Sequence, residues 1–159
     1  MPDMLVHLLK LPRLDPELDH LREGGVVIRR GRPYEIERIC KFVADKFAPT
    51  WAQEISVGFA NKPSSVFIAI RSGELVGFAA YECTCRGFFG PMGVLESERG
   101  KNVGRALLVA SLHGLRDMGY AYGIIGGVGP AEFYTKAVGA VLIPDSVPGV
   151  YGDPLNKAI

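Results

Sequence analysis

Gly87-Phe88-Phe89-Gly90-Pro91-Met92-Gly93-Val94-Leu95 is followed, after three residues, by Arg99-Gly100-Lys101-Asn102-Val103-Gly104-Arg105. The first run is extended and apolar, but Gly and Pro interrupt it. Proline removes a ladder donor, so a bulge or a splayed edge is expected in that strand. The second run is a short basic turn in which a long apolar helical pattern begins. The first N–H groups of a helix lack intrahelical partners and lie at the positive end of its dipole. Strand, basic Gly-containing turn and helix together form an arrangement that holds a pyrophosphate by hydrogen bonds and charge at once.

Working outward, Asn102 to Met118 reads as the strongest helix. Ala106, Leu107, Ala110 and Gly114 give it a narrow face for close packing, Leu108, Leu112 and Leu115 form a second apolar row, and Gly119 is placed as a C-terminal stop. Ala121–Ile125 reads as a strand, Gly126–Pro130 as a loop, and Ala131–Val138 as a short helix ending at Gly139. Upstream, the β-rich runs Ser65–Ile70 and Leu75–Glu82 flank Arg71-Ser72-Gly73-Glu74 and predict a hairpin. Val26–Arg29 is the first core strand. From Pro33, the spacing of Ile36, Ile39, Cys40, Val43 and Phe47 predicts a helix that Pro49 ends, with a second helical piece over Trp51–Ala60. Residues 1–23 are expected as an N-terminal extension packed on a domain of residues 24–159, with Leu5–Leu11 as an added strand. Ala140–Ile143 and Gly149–Tyr151 are the last strand candidates. This order of elements gives an α/β (α+β) fold, a mixed sheet with helices on its faces.

With 159 residues the chain is expected to form one core. A net charge of +1 excludes a global field for nucleic acid or an anionic membrane, so an anion site has to be local. No apolar run approaches the ~20 residues that span a bilayer, and none is expected to engage a membrane. Three cysteines without disulfide-like spacing suit a reducing cytoplasm. His7, His20 and His113 show no metal spacing. Gly126-Gly127-Val128-Gly129 lacks the Gly-Lys-Ser/Thr ending of a P-loop, and no Rossmann Gly-x-Gly-x-x-Gly is present.

Over roughly Val26 to Asp153 the chain resembles the GNAT superfamily of acyl-CoA-dependent N-acyltransferases. Arg99-Gly100-Lys101-Asn102-Val103-Gly104, continued by Arg105-Ala106-Leu107-Leu108, resembles the family signature Arg/Gln-x-x-Gly-x-Gly/Ala. Asn102 stands where the family has Gly, and Asn tolerates left-handed backbone better than other side-chain-bearing residues. Phe133-Tyr134-Thr135-Lys136-Ala137-Val138-Gly139-Ala140 resembles the family's Phe-Tyr motif. The Asn often found seven residues before that Tyr is Gly127 here.

The resemblance implies a mostly antiparallel sheet of about seven strands, with helices on both faces. Counted from Val26, the sheet is splayed at the fourth and fifth strands, Gly87–Leu95 and Ala121–Ile125. It implies acetyl-CoA as co-substrate and no metal. The pyrophosphate falls to Arg99, Gly100, Lys101, Asn102, Val103, Gly104 and Arg105, the pantetheine arm to Met92 and Val94, and protonation of the departing thiolate to Tyr134. The reaction implied is N-acetylation of a primary amine, small-molecule or peptidyl, by direct attack in a ternary complex. A base must take the amine proton; Glu82, at the end of the hairpin's second strand, is the first candidate, with Glu54 and His113 behind it. Trp51 and Phe59 fall where the family caps the acceptor pocket. A homodimer is a weaker expectation. The rival readings are a non-catalytic acyl-CoA-binding or sensor module and a transferase using another acyl donor.

Overall fold

The computed structural model describes residues 1–152 and 155. Residues 153, 154 and 156–159 lie outside the described residues, and with them fall Asp153, the end of the family-like span, and the last residues of the domain expected to reach 159.

Seven strands form one sheet: β1 (Met4–His7), β2 (Val26–Arg30), β3 (Val66–Arg71), β4 (Glu74–Tyr81), β5 (Phe88–Val94), β6 (Tyr122–Ile125) and β7 (Val141–Leu142). Their spatial order is β2-β3-β4-β5-β6-β1-β7. Every pair is antiparallel except β5 and β6. The helices are α1 (Leu14–Glu23), α2 (Ile36–Lys46), α3 (Pro49–Ser56), α4 (Val103–Asp117) and α5 (Ala131–Val138).

The hairpin forms as its turn residues require. Ser72 and Gly73 both have positive φ (51° and 81°), the pairing of a two-residue turn that matches strand twist. Val76 to Tyr81 of β4 are all buried because helices cover both faces of the sheet. Alternation, with one register shift that leaves Val76 as an extra residue opposite Ala69 and Ile70, then sorts the side chains. Val76, Ala79 and Tyr81 join Leu107, Leu108 and Leu112 of α4 on one face, whereas Phe78 and Ala80 join Ile39 and Val43 of α2 and Ile55 of α3 on the other. Gly114 allows a close helix–sheet approach: a Cβ there would lie 2.5 Å from the Tyr81 ring.

The N-terminal segment, expected to pack on the domain, is built into the sheet. β1 lies between β6 and β7, pairing Met4 with both Ile125 and Leu142. α1 follows and contributes Leu21 to the α4-side core. At the other end of the chain, Gly149–Tyr151 is a turn of 3-10 helix and not a strand. Gly149 has φ +69°, a left-handed conformation that rules out an extended run.

Two ion pairs fasten loops around this frame. Arg29 grips Glu35 at 2.6 and 2.8 Å through both carboxylate oxygens and holds its carboxyl down at about 2. Arg71 grips the buried Glu98 at 2.9 and 3.1 Å and likewise lowers its pKa. A carboxyl whose folded pKa lies below its unfolded value adds stability above that unfolded value and loses it as pH falls. The melting temperature is therefore expected to hold from neutral pH to about 5 and to fall as pH drops towards about 2. In Arg29→Ala the acid limb should flatten, a comparison that thermal melts at stepped pH read directly.

Candidate active site

The sheet opens beside β5. β6 pairs with it only at Phe88 and Phe89, whereas β4 stays paired as far as Val94. Beyond Phe89, at Gly90-Pro91, β5 has no neighbour on its β6 side, so the expected splay lies between β5 and β6. In an antiparallel ladder, alternate residues turn their backbone groups to the same neighbour. Leu95 N–H donates to Val76 of β4, so Gly93 also faces β4, and the N–H and C=O groups of Met92 and Val94 face the gap. An extended amide-bearing chain fits such an edge.

At the foot of the gap lies the basic turn. Gly100 and Asn102 both take left-handed backbone, φ 74° and 63°, so Asn102 holds the conformation for which Gly is usual. Ala106 N–H is bonded to Asn102 C=O, which starts α4 and leaves the amides of Val103, Gly104 and Arg105 pointing out of its first turn. No acidic side chain stands in that turn. The side chains divide the work differently from the amides. Val103 is in the core. Arg105 binds Glu17 at 2.8 Å and the Ala137 carbonyl at 2.9 Å, tying α4 to α1 and α5. The Lys101 ammonium sits 3.6 Å from Glu98 and outside the cavity. Arg99 leans its Nε on the Val94 carbonyl at 3.3 Å and lines the cavity.

Two cavities meet in the gap. One, of about 530 Å³, runs from Arg99, Gly100, Asn102 and Gly104 along Met92–Val94 to Phe133 and Tyr134. The other, of about 580 Å³, is walled by Glu54, Phe89, Ile125, Gly127 and Tyr151. Trp51, Met92, Pro130 and Tyr134 line both. Tyr134 is set by α5, whose end at the left-handed Gly139 (φ 66°) is where the sequence places it. Its ring packs edge-on to Phe89 and Phe133, and burial raises its pKa above the ordinary tyrosine value of 10.0. It is a neutral phenol, able to give a proton, where the two cavities join.

The base candidates separate cleanly. Glu82 lies outside both sets of lining residues; it has φ 55°, and its carboxylate accepts the Gly87 N–H, closing the loop from β4 to β5. His113 is bonded to the Pro12 carbonyl at 2.7 Å, against the segment before α1. Glu54 lines the second cavity, its Oε1 accepting hydrogen bonds from Thr84 Oγ1 and, at 2.9 Å, from the Tyr151 hydroxyl. Phe59 is buried in the α2–α3 core, while Trp51 reaches the cavities. The sequence signal for Glu54 was its place one turn after Trp51 on the same face of α3.

Gly127 shows what replaces the family's Asn. A Cβ at Gly127 would stand 3.4 Å from the Tyr151 ring, so the missing side chain leaves room for that ring. Gly127 is pinned by Asp3, a buried residue that also holds the segment leading to Tyr151. Its Oδ1 accepts Gly127 N–H at 2.8 Å, its N–H donates to Ser146 Oγ at 2.9 Å, and its carbonyl accepts Ile143 N–H. Asp3→Ala leaves the Gly127 N–H unpaired, while the backbone bonds to Ser146 and Ile143 remain, and is expected to cost about 1–3 kcal/mol of stability, visible as a melting point several degrees lower.

The sequence matches the Acetyltransferase (GNAT) family over residues 32–139, more than half of the chain. The chain belongs to that family. Solved structures share the fold at low identity. A glucosamine N-acetyltransferase region of a fungal multi-domain β-N-acetylglucosaminidase superposes at TM-score 0.71 with 14% identity over 89% of this chain and 19% of that one. A GCN5-related N-acetyltransferase from Sphaerobacter thermophilus gives 0.68 and 18% over 89% and 48%. A GNAT acetyltransferase from Colwellia psychrerythraea gives 0.62 and 15% over 89% and 52%. The chain thus spans about half or less of these proteins. No curated protein matches its sequence at a significant level. Among the described residues no helix is long and apolar enough to cross a membrane, and no group of three His, Cys, Asp or Glu is placed to hold a metal ion.

Proposed function

We propose that the chain is an N-acetyltransferase that moves the acetyl group of acetyl-CoA to a primary amine by direct attack in a ternary complex. The observation that carries this reading is the meeting of two cavities at Tyr134, one ending on the amides of the basic turn and the other on a carboxylate. The pyrophosphate sits on the amides of Val103 to Arg105 beside Arg99, and the pantetheine arm pairs with Met92 and Val94. The thioester then lies at the join. A backbone N–H of the β5 edge holds the carbonyl oxygen as it gains negative charge. Glu54 takes one proton from the incoming ammonium and passes it to solvent. The neutral amine adds to the carbonyl carbon and the C–S bond breaks. Tyr134 gives its proton to sulfur and is restored by the second proton leaving nitrogen. Three free cysteines, Cys40, Cys83 and Cys85, support a cytoplasmic setting.

The test is thiol release from acetyl-CoA on addition of amines. Turnover that needs both substrates supports the reading; CoA binding without turnover on any amine supports a non-catalytic binding module instead. Attack requires a neutral amine, so kcat/KM is expected to rise with pH to a plateau. Burial holds the Tyr134 pKa above its ordinary value, so the acid keeps its proton as the profile rises. A profile flat from acid to alkali would contradict direct attack.

A further inference from the structure

The second cavity is mostly apolar. Phe89, Pro91, Ile125 and Pro130 contribute hydrocarbon, and Trp51 and Tyr151 contribute aromatic surface. Glu54 is the only charged side chain among the described residues that line it; no Lys, Arg or His stands there, and Met1 reaches the wall beside Gly127 with its side-chain methyl. Both hydrogen bonds to Glu54 land on Oε1, which leaves Oε2 for a ligand. Trp51 stands one helical turn before Glu54 on α3 and lines the same cavity, so the wall that carries the carboxylate also carries aromatic surface, which cations favour. The phenol of Tyr151 is pushed up to about 12, chiefly by burial, and therefore stays neutral.

We infer that the acceptor is a compact monoamine with an aromatic or branched hydrocarbon body, its ammonium on Glu54 and its body against Trp51, Phe89 and Tyr151. This rests on the transferase reading above and names its substrate class. Charge decides against the other amine classes. A diamine or polyamine brings a second ammonium that would have to lie in an apolar wall without a second carboxylate. An amino acid brings a carboxylate that meets Glu54 and finds no cationic side chain. An amino sugar brings several hydroxyls into a wall with few side-chain partners, and each unpaired one costs affinity.

The test uses the full chain with 2-phenylethylamine, L-phenylalanine, 1,4-diaminobutane and D-glucosamine. L-Phenylalanine differs from 2-phenylethylamine only by its carboxylate. Thiol release should give 2-phenylethylamine a kcat/KM about 100-fold above each of the others, the size of discrimination that unpaired polar groups impose. Calorimetry on the CoA-loaded protein reads binding without turnover. Glu54→Gln should weaken 2-phenylethylamine at least ~10-fold, as loss of a charge-assisted bond does, while the affinities for CoA and for the neutral 2-phenylethanol hold. Unchanged binding of 2-phenylethylamine in that variant would overturn the assignment of Glu54. Preferred transfer to the diamine, the amino acid or the sugar overturns the substrate class and leaves the transferase standing. Selective binding of 2-phenylethylamine without thiol release supports the class and removes the transferase. Neither binding nor release for any of the four amines overturns both.

Discussion

Tyr134→Phe should lower kcat by about 100- to 10,000-fold, the range general acid catalysis contributes, and leave CoA affinity within about twofold. The asymmetry follows from where the residue stands. Tyr134 lines both cavities, but its ring and not its hydroxyl carries the packing against Phe89 and Phe133. Phenylalanine keeps those edge-on contacts and the shape of both walls. What it removes is the half-buried, neutral phenol at the point where the proposed reaction releases the thiolate. Pre-steady-state thiol release together with calorimetric CoA binding separates the two effects. An equal loss in both would make Tyr134 a packing residue, and full activity would remove it from the chemistry.

The second large effect is expected from Gly104→Asp. Gly104 lies in the first turn of α4 and lines the donor cavity. An added Cβ meets Val94 at 3.6 Å and Phe133 at 3.9 Å, ordinary van der Waals separations. The fold therefore accepts the side chain, and a carboxylate near a helix N-terminus is favourable to the helix. The same carboxylate occupies the place proposed for the pyrophosphate and would repel it. Losing two charge-assisted bonds at about 1.5–3 kcal/mol each corresponds to a loss of ~100-fold or more in CoA affinity. The melting temperature should hold or rise while CoA binding collapses. Retained CoA affinity would move the pyrophosphate away from this turn.

The parts of the fold read correctly from sequence are those set by local backbone chemistry. Asn102 in left-handed conformation, the Ser72-Gly73 turn and the end of α5 at Gly139 each depend on a residue and its immediate neighbours. The splay of β5 was likewise announced by Gly90-Pro91. Tertiary placement was less accessible. β1 enters between β6 and β7, strands more than a hundred residues away along the chain, and nothing local to Met4–His7 marks that pairing. Glu82 was the first base candidate because it ends a strand near the gap; what no local signal showed is that its carboxylate accepts the Gly87 N–H and lies outside the lining of both cavities. Glu54 reaches the cavity through the path of α3 and meets Tyr151, a residue 97 positions away. Gly149–Tyr151 carries strand-forming residues, yet a 3-10 turn with positive φ at Gly149 puts Tyr151 beside Gly127, where it completes the wall of the second cavity.

Direct transfer from acetyl-CoA to an amine is tested most plainly by following three species in one reaction. Protein, acetyl-CoA and 2-phenylethylamine are combined, and free thiol, N-acetylated amine and the intact mass of the protein are measured together. The expected result is thiol and N-acetyl product in one-to-one ratio, both dependent on the amine, with the protein mass unchanged. An acetylated protein accumulating before the amine is added would contradict direct transfer, and CoA bound without any thiol released would contradict catalysis itself.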